Sequence, residues 1–261
     1  MVGALFGDIA GSKYEFNNIR TKQFDLMSKD CYFTDDSVCT IAFMDWLLHS
    51  KIRNDKAAIE YLHKWTRRYP NSGYGGRFWY WVNSNNPKPY GSYGNGSAMR
   101  ISSIAWVAKD LNELKELSDT ITGITHNHPE GMKGALTIAT CIFMALHNST
   151  KNEIRKYAIS MYPKIEFFDY EYLRKNYRFD ETCQGSVPQA IYCFLISNDF
   201  YDCARTTISI GGDCDTTAAM SCAIAEAYYG TDDKAYEFVK SHITKEMIMV
   251  VDEFIEKGYK K

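Results

Sequence analysis

The chain has 261 residues, 45% of them aliphatic, aromatic or cysteine, enough to bury a sizeable core as one large domain or two small ones on a length prior of roughly 150 residues per domain. Its 30 basic and 32 acidic residues are spread along the chain and leave a formal net charge of −2, which argues against nucleic acid or an anionic membrane held by long-range attraction. Of the eight cysteines none forms a CxxC pair or stands at zinc-finger spacing from a histidine, and most sit in apolar runs, a pattern suited to a reducing compartment.

The opening MVGALFGDIAGSKYEF lacks a basic n-region, and Asp8 interrupts its apolar run. A signal peptide is therefore not expected, nor is a span of about 20 apolar residues found anywhere, so the expectation is a soluble cytoplasmic protein. Gly3, Gly7 and Gly11 lie one helical turn apart on one face, which predicts a tightly packed first helix. Asp8 and Glu15 fall on that helix or just beyond it, where an acid could reach a site built elsewhere.

In FTDDSVCTIAFMDWLL (33–48), Thr34, Asp35 and Asp36 stand at the start of a helix whose apolar face carries Val38, Ile41, Ala42, Trp46 and Leu47. Capping and the positive end of the helix dipole explain such acids when seen alone. In KPYGSYGNGSAMRISSIAW (88–106), Gly91, Gly94 and Gly96 free the backbone to turn N–H groups inward, and a helix opened by Ser97 or Ala98 aims its amino end the same way. That makes either an anion cradle, most naturally for phosphate, or a plain Gly-rich connection; it matches neither the P-loop nor the dinucleotide fingerprint.

THNHPEGMKGALTIA (125–139) starts a helix at Pro129, with Leu136, Ala139, Thr140, Phe143 and Met144 on its apolar face. His126 and His128 have no third soft partner for zinc, so Thr125 and His126 read as loop and ligand-contact residues. SIGGDCDTTAAM (209–220) is a second acidic helix start, and the following run, Ala218 to Tyr229, is apolar on most sides as in a helix buried mid-bundle. A carboxylate taken out of water there needs a cation or donors. Phe238 to Ile255 predicts one final amphipathic helix. Strand patterns are scarce, so the expected fold is a single all-α domain over residues 1–261.

If the two acidic helix starts converge, their four carboxylates and two threonine hydroxyls form a hard oxygen donor set suited to Mg²⁺, Mn²⁺ or Ca²⁺, and four negative charges call for two divalent ions.

With GALFGDIAGSKYEF, FTDDS, YPNSGYGGRF, GSYGNGSAMR, THNHPE and GGDCDT in this order, the chain resembles the ADP-ribosylglycohydrolase family over nearly its whole length. The resemblance implies a compact all-α multi-helix domain with two Mg²⁺ (or Mn²⁺) held by Thr34, Asp35, Asp36, Asp213, Asp215 and Thr216. It puts Glu15 on a mobile loop at the metals. It gives Ser92, Tyr93, Gly94, Asn95, Gly96 and Ser97 to the diphosphate and distal ribose, and His126 a place beside the ADP-ribose. The implied reaction is hydrolysis of the C1″ bond to an arginine or serine side chain, releasing ADP-ribose, with Glu15, Asp35, Asp36 and Asp213 as the catalytic acids. An ester such as O-acetyl-ADP-ribose is the neighbouring substrate; a catalytically silent ADP-ribose-binding member and a metal phosphohydrolase releasing AMP are the other classes. Cys214 departs from the Ser, Ala or Thr common at that place, with little effect expected. The expected partner is the ADP-ribose moiety of a modified protein or small molecule, met by a monomer without nucleic acid or membrane.

Overall fold

A computed structural model describes residues 2–258, and within them regular structure is helical: fifteen α-helices, one 3₁₀ turn (Pro163–Phe167) and no strand. The helices are α1 (Val2–Ser12), α2 (Asp35–His49), α3 (Asp55–Arg68), α4 (Gly76–Val82), α5 (Gly96–Met99), α6 (Ser102–Val107), α7 (Leu111–Gly123) and α8 (Pro129–Leu146). They continue as α9 (Lys151–Met161), α10 (Tyr170–Asn176), α11 (Cys183–Ile196), α12 (Phe200–Ser209), α13 (Cys214–Tyr229), α14 (Asp233–His242) and α15 (Lys245–Glu256). The fold is all-α, as the periodicity predicts. None of these helices is long and apolar enough to cross a membrane.

α13 is the axis of the molecule. It is buried from Cys214 to Ala227 and packs against α1, α8, α11 and α12. Its closest partner is α1, which runs antiparallel to it because glycine lets the two backbones touch. A Cβ at Gly3, Gly7 or Gly11 would collide with Cys222, Ala218 or Asp215 of α13, respectively. The Glu226 carboxylate near the end of α13 then accepts the orphan N–H groups of Val2 (2.9 Å) and Gly3 (2.8 Å), capping α1 from another helix. Leu5, Phe6 and Ile9 of α1 are fully buried, and each such side chain contributes about 1.5–3 kcal/mol of transfer free energy.

Three sequence expectations change. α2 is buried from Asp36 to Leu47 rather than along one stripe, because helices pack on it from several sides. On α8 the deeper positions are Ala135, Ile138, Ile142 and Ala145, each fully buried, while Leu136 and Met144 are only half-buried. The predicted final helix is two helices. Thr244 breaks it by turning extended and accepting the Met247 N–H, which caps α15. All eight cysteines are free and buried.

Candidate active site

The two acidic helix starts do converge. α2 and α13 bring their N-termini together at one end of a cavity of about 440 Å³, and Thr34, Asp35, Asp36, Asp213, Asp215 and Thr216 all line it. Thr34 caps α2, and the Thr216 hydroxyl donates to Asp36 Oδ2 across the gap at 3.1 Å. Asp213 occupies the capping position of α13 without capping it; its Oδ2 instead accepts from Asn95 Nδ2 at 2.7 Å. The spare aspartate of each pair is therefore free to face the cavity.

Asp8, which the sequence offered only as an acid within reach of such a site, belongs to the cluster. Carboxylate oxygens of Asp8, Asp36 and Asp215 lie within 4.8 Å of one another, and so do those of Glu15, Asp213 and Asp215. Asp8 is fully buried on α1 and accepts from Thr34 N (3.0 Å), Thr34 Oγ1 (2.6 Å), Ser37 N (3.0 Å) and the Ser37 hydroxyl. It acts as a cap for α2 supplied by a different helix, and it fixes the Thr34-Asp35-Asp36 turn. The available signal was a lone acid amid the small and apolar residues of α1.

Six carboxylates packed this closely repel, and burial compounds the cost. Desolvation, followed by the charge of Asp8, lifts the Asp35 carboxyl to about 8. Desolvation, followed by the charge of Asp213, lifts that of Glu15 to about 7. Asp36 and Asp215 are held well above the usual carboxylate range by the same two causes. In Asp8 and Asp213, burial outweighs the hydrogen bonds they accept, and both are raised.

Glu15 sits on the loop leaving α1, half-buried at the cavity wall. Asn18 anchors that loop: its Nδ2 donates to the carbonyls of Tyr14 (2.8 Å), Glu15 (2.8 Å) and Gly212 (3.0 Å), and its Oδ1 accepts Gly212 N–H at 2.8 Å. Gly211 and Gly212 carry the positive φ angles (69° and 76°) that this turn needs. Cys214 points away, with Sγ 3.6 Å from the Gly11 carbonyl, so the cluster stays an all-oxygen one.

The glycine loop forms the facing wall through Ser92, Gly94, Asn95 and Gly96. Tyr93 and Ser97 are not on it. The Tyr93 ring is turned outward against His128, and the Ser97 hydroxyl is spent on the carbonyls of Gly94 (3.3 Å) and Gly131 (3.0 Å). The cradle also differs from expectation in its donors. Gly94 N–H goes to Ser92 Oγ at 3.2 Å, and Asn95 N–H goes to the Glu181 carbonyl at 2.7 Å. The helix behind the loop, α5, is a single turn, so it lends little dipole. His126 lines the same wall, buried, and burial followed by the charges of Arg100 and Arg77 holds its imidazole well below its ordinary value. Glu181 and the exposed Phe16, stacked on Phe179 with centroids 6.0 Å apart, also line the cavity and carried no sequence signal, and Arg77 and Arg100 are its cationic lining residues.

Known proteins share this chain's sequence pattern and fold. A family model described as ADP-ribosylglycohydrolase matches residues 1–235. The chain belongs to the ADP-ribosylglycohydrolase family. ADP-ribosylhydrolase ARH3 of Mus musculus is 26% identical to it, over 89% of this chain and 83% of its own length. The ADP-ribosyl-(dinitrogen reductase) glycohydrolase of Rhodospirillum rubrum is 27% identical over 56% of this chain and 50% of its own. A solved structure described as an ADP-ribosylglycohydrolase-related protein complex shares the fold, with a TM-score of 0.70 over 95% of this chain and 94% of that one at 18% identity.

Proposed function

We propose that the chain is a metal-dependent ADP-ribosylhydrolase that cleaves the C1″ bond between ADP-ribose and an arginine or serine side chain. The observation that carries this reading is the convergence of five carboxylates (Glu15, Asp35, Asp36, Asp213 and Asp215) on one cavity, with a sixth, Asp8, buried behind them, and with the glycine loop and His126 also lining that cavity. We further infer a single cytoplasmic domain working as a monomer on the ADP-ribose moiety of a modified protein or small molecule.

The donor set fits two Mg²⁺ or Mn²⁺ ions. It is oxygen only, it carries more charge than one ion offsets, and Asp36 Oδ1 is buried with no hydrogen-bond partner. Thr34, Asp35, Asp36, Asp213, Asp215 and Thr216 would hold the ions, with Asp8 behind them fixing the Thr34 turn. When bound, the ions offset the clustered charge and act as Lewis acids on water and ribose hydroxyls. The protein's own part follows from placement. Asn95 joins the glycine loop to Asp213, so the sugar's reacting carbon and the diphosphate are held in one register. The carboxylates stabilise the oxocarbenium character that grows on the ribose as the C1″ bond stretches. Glu15 lines the cavity and would take a proton from the attacking water, whose oxygen bonds to C1″ as the bond to the acceptor breaks, and would pass that proton to the departing side chain, which regenerates the carboxylate.

The test is product release from ADP-ribosyl-arginine, ADP-ribosyl-serine and O-acetyl-ADP-ribose, each with Mg²⁺ and with chelator. Intact ADP-ribose appearing only with metal is the expected result and names the acceptor. AMP as product would replace this reading by diphosphate hydrolysis, and no release from any of the three would refute it for these acceptors.

A further inference from the structure

Arg100 follows α5, is 1% exposed, and pairs with no carboxylate among the described residues. A buried, unpaired guanidinium is costly unless its surroundings use it. Its ring neighbours are Phe43 and Phe78, with the guanidinium carbon 5.4 and 5.6 Å from their centroids. Its Nη2 donates to Thr125 Oγ1 at 2.6 Å, and Thr125 Oγ1 in turn lies 2.7 Å from His126 Nδ1.

The polarity of this chain is determined by chemistry. A guanidinium only donates, so Thr125 Oγ1 accepts from Arg100. The hydroxyl has one proton, it is buried, and the remaining partner in reach is His126 Nδ1. Leaving that proton unbonded would cost a buried donor. Thr125 therefore donates, and Nδ1 accepts. In a neutral imidazole the proton is then on Nε2. That nitrogen bonds to no protein group among the described residues and stands beside Gly94 and Gly96; a Cβ on either would sit 3.6 or 3.4 Å from it and cover it. The two glycines thus leave the Nε2–H open on the cavity wall, where the N–H groups of Gly94 and Asn95 are already taken.

We propose that Arg100 is a positioning residue which, through Thr125, fixes His126 as the neutral Nε2–H tautomer and so aims an imidazole donor at the diphosphate held by the glycine loop. The inference rests on the ADP-ribose reading for its ligand, but the tautomer is independent of it. Arg100 and the exposed Arg77 are the cationic groups facing His126, and Tyr90 is the neighbouring ring at 6.1 Å.

The test uses the full chain with Mg²⁺ and ¹⁵N-labelled histidine, reading the His126 nitrogens by NMR and ADP-ribose affinity by calorimetry. Thr125→Val removes the hydroxyl at constant shape and spares the buried Arg100, whose own replacement risks the fold. The expected wild-type spectrum shows neutral His126 protonated on Nε2. In Thr125→Val the tautomers mix and ADP-ribose binds about ten-fold more weakly, while Thr125→Ser restores both. An Nδ1–H or imidazolium signature in the wild type, or wild-type affinity in Thr125→Val, overturns the proposal. A wild type with the Nε2–H signature that binds no ADP-ribose overturns the diphosphate reading alone.

Discussion

Asp215 faces Asp213, Asp36, Glu15 and Asp8, and those charges add to burial in opposing its ionisation. Two effects of Asp215→Asn follow with opposite signs. Turnover with Mg²⁺ falls by about 100-fold or more, since a proposed ligand is lost. The metal-free protein, relieved of a carboxyl that must take up a proton or bury its charge on folding, gains ~1 kcal/mol and melts about 2–4 °C higher. Initial rates with metal and thermal melts in chelator check the pair; a lower melting temperature in chelator would contradict the repulsion account. Asp213→Asn should lose turnover as well with its helix content unchanged in circular dichroism. At this scale the sequence showed the acids that stand at helix starts, because a second aspartate beside a cap has no local use. Asp8 was visible only as an acid that could reach the site; its role depends on α1 lying across the start of α2. Ser97 misled for a related reason: its direction is set by the carbonyls of Gly94 and Gly131, and Gly131 is distant in the chain.

Among the elements, α1 is where packing and chemistry are most tightly linked. Gly7 lies against the Ala218 backbone, so Gly7→Ala must push α1 off α13 at a cost of about 1–3 kcal/mol. The same shift moves Asp8, the next residue, away from Thr34 and Ser37, and the rate should fall together with stability. Gly123→Ala, at the end of α7 with nothing within 4 Å of the added carbon, is the control and should stay within ~0.5 kcal/mol of wild type. Urea denaturation with parallel assays measures both. Helix type was legible from period throughout, and the three-glycine stripe correctly announced a close contact. Faces were less legible. α8 packs on several helices, so its apolar residues go most of the way round and the period has little contrast. The break at Thr244 is a cap inside an unbroken apolar pattern.

For the molecule as a whole, the acid cluster couples pH to metal. In the metal-free protein these carboxyls hold their protons more tightly folded than unfolded, so the folded state binds more protons and stability falls as pH rises. This contribution is complete below the ordinary carboxylate range, about 4. It is lost as pH climbs through about 7 for Glu15 and about 8 for Asp35. The melting temperature in chelator should therefore drop between about pH 5 and pH 8, and Mg²⁺ should raise it far more at the upper end, where the ligands are ionised. A flat or rising profile in chelator would show that the cluster is not strained by its own charge.

The position of α13 at the axis has a kinetic consequence. Amide hydrogens of a helix enclosed by α1, α8, α11 and α12 exchange with solvent only when the molecule opens globally, whereas those of the loop carrying Glu15 and Phe16 need only local opening. Asp213, Asp215 and Thr216 stand at the start of the helix expected to exchange slowest, and Glu15 on a loop expected to exchange sooner. A molecule whose Glu15 loop has swung out would keep the proposed ligands of α2 and α13 in place, so under the proposed mechanism the proton-transfer step is lost at a smaller opening free energy than metal binding.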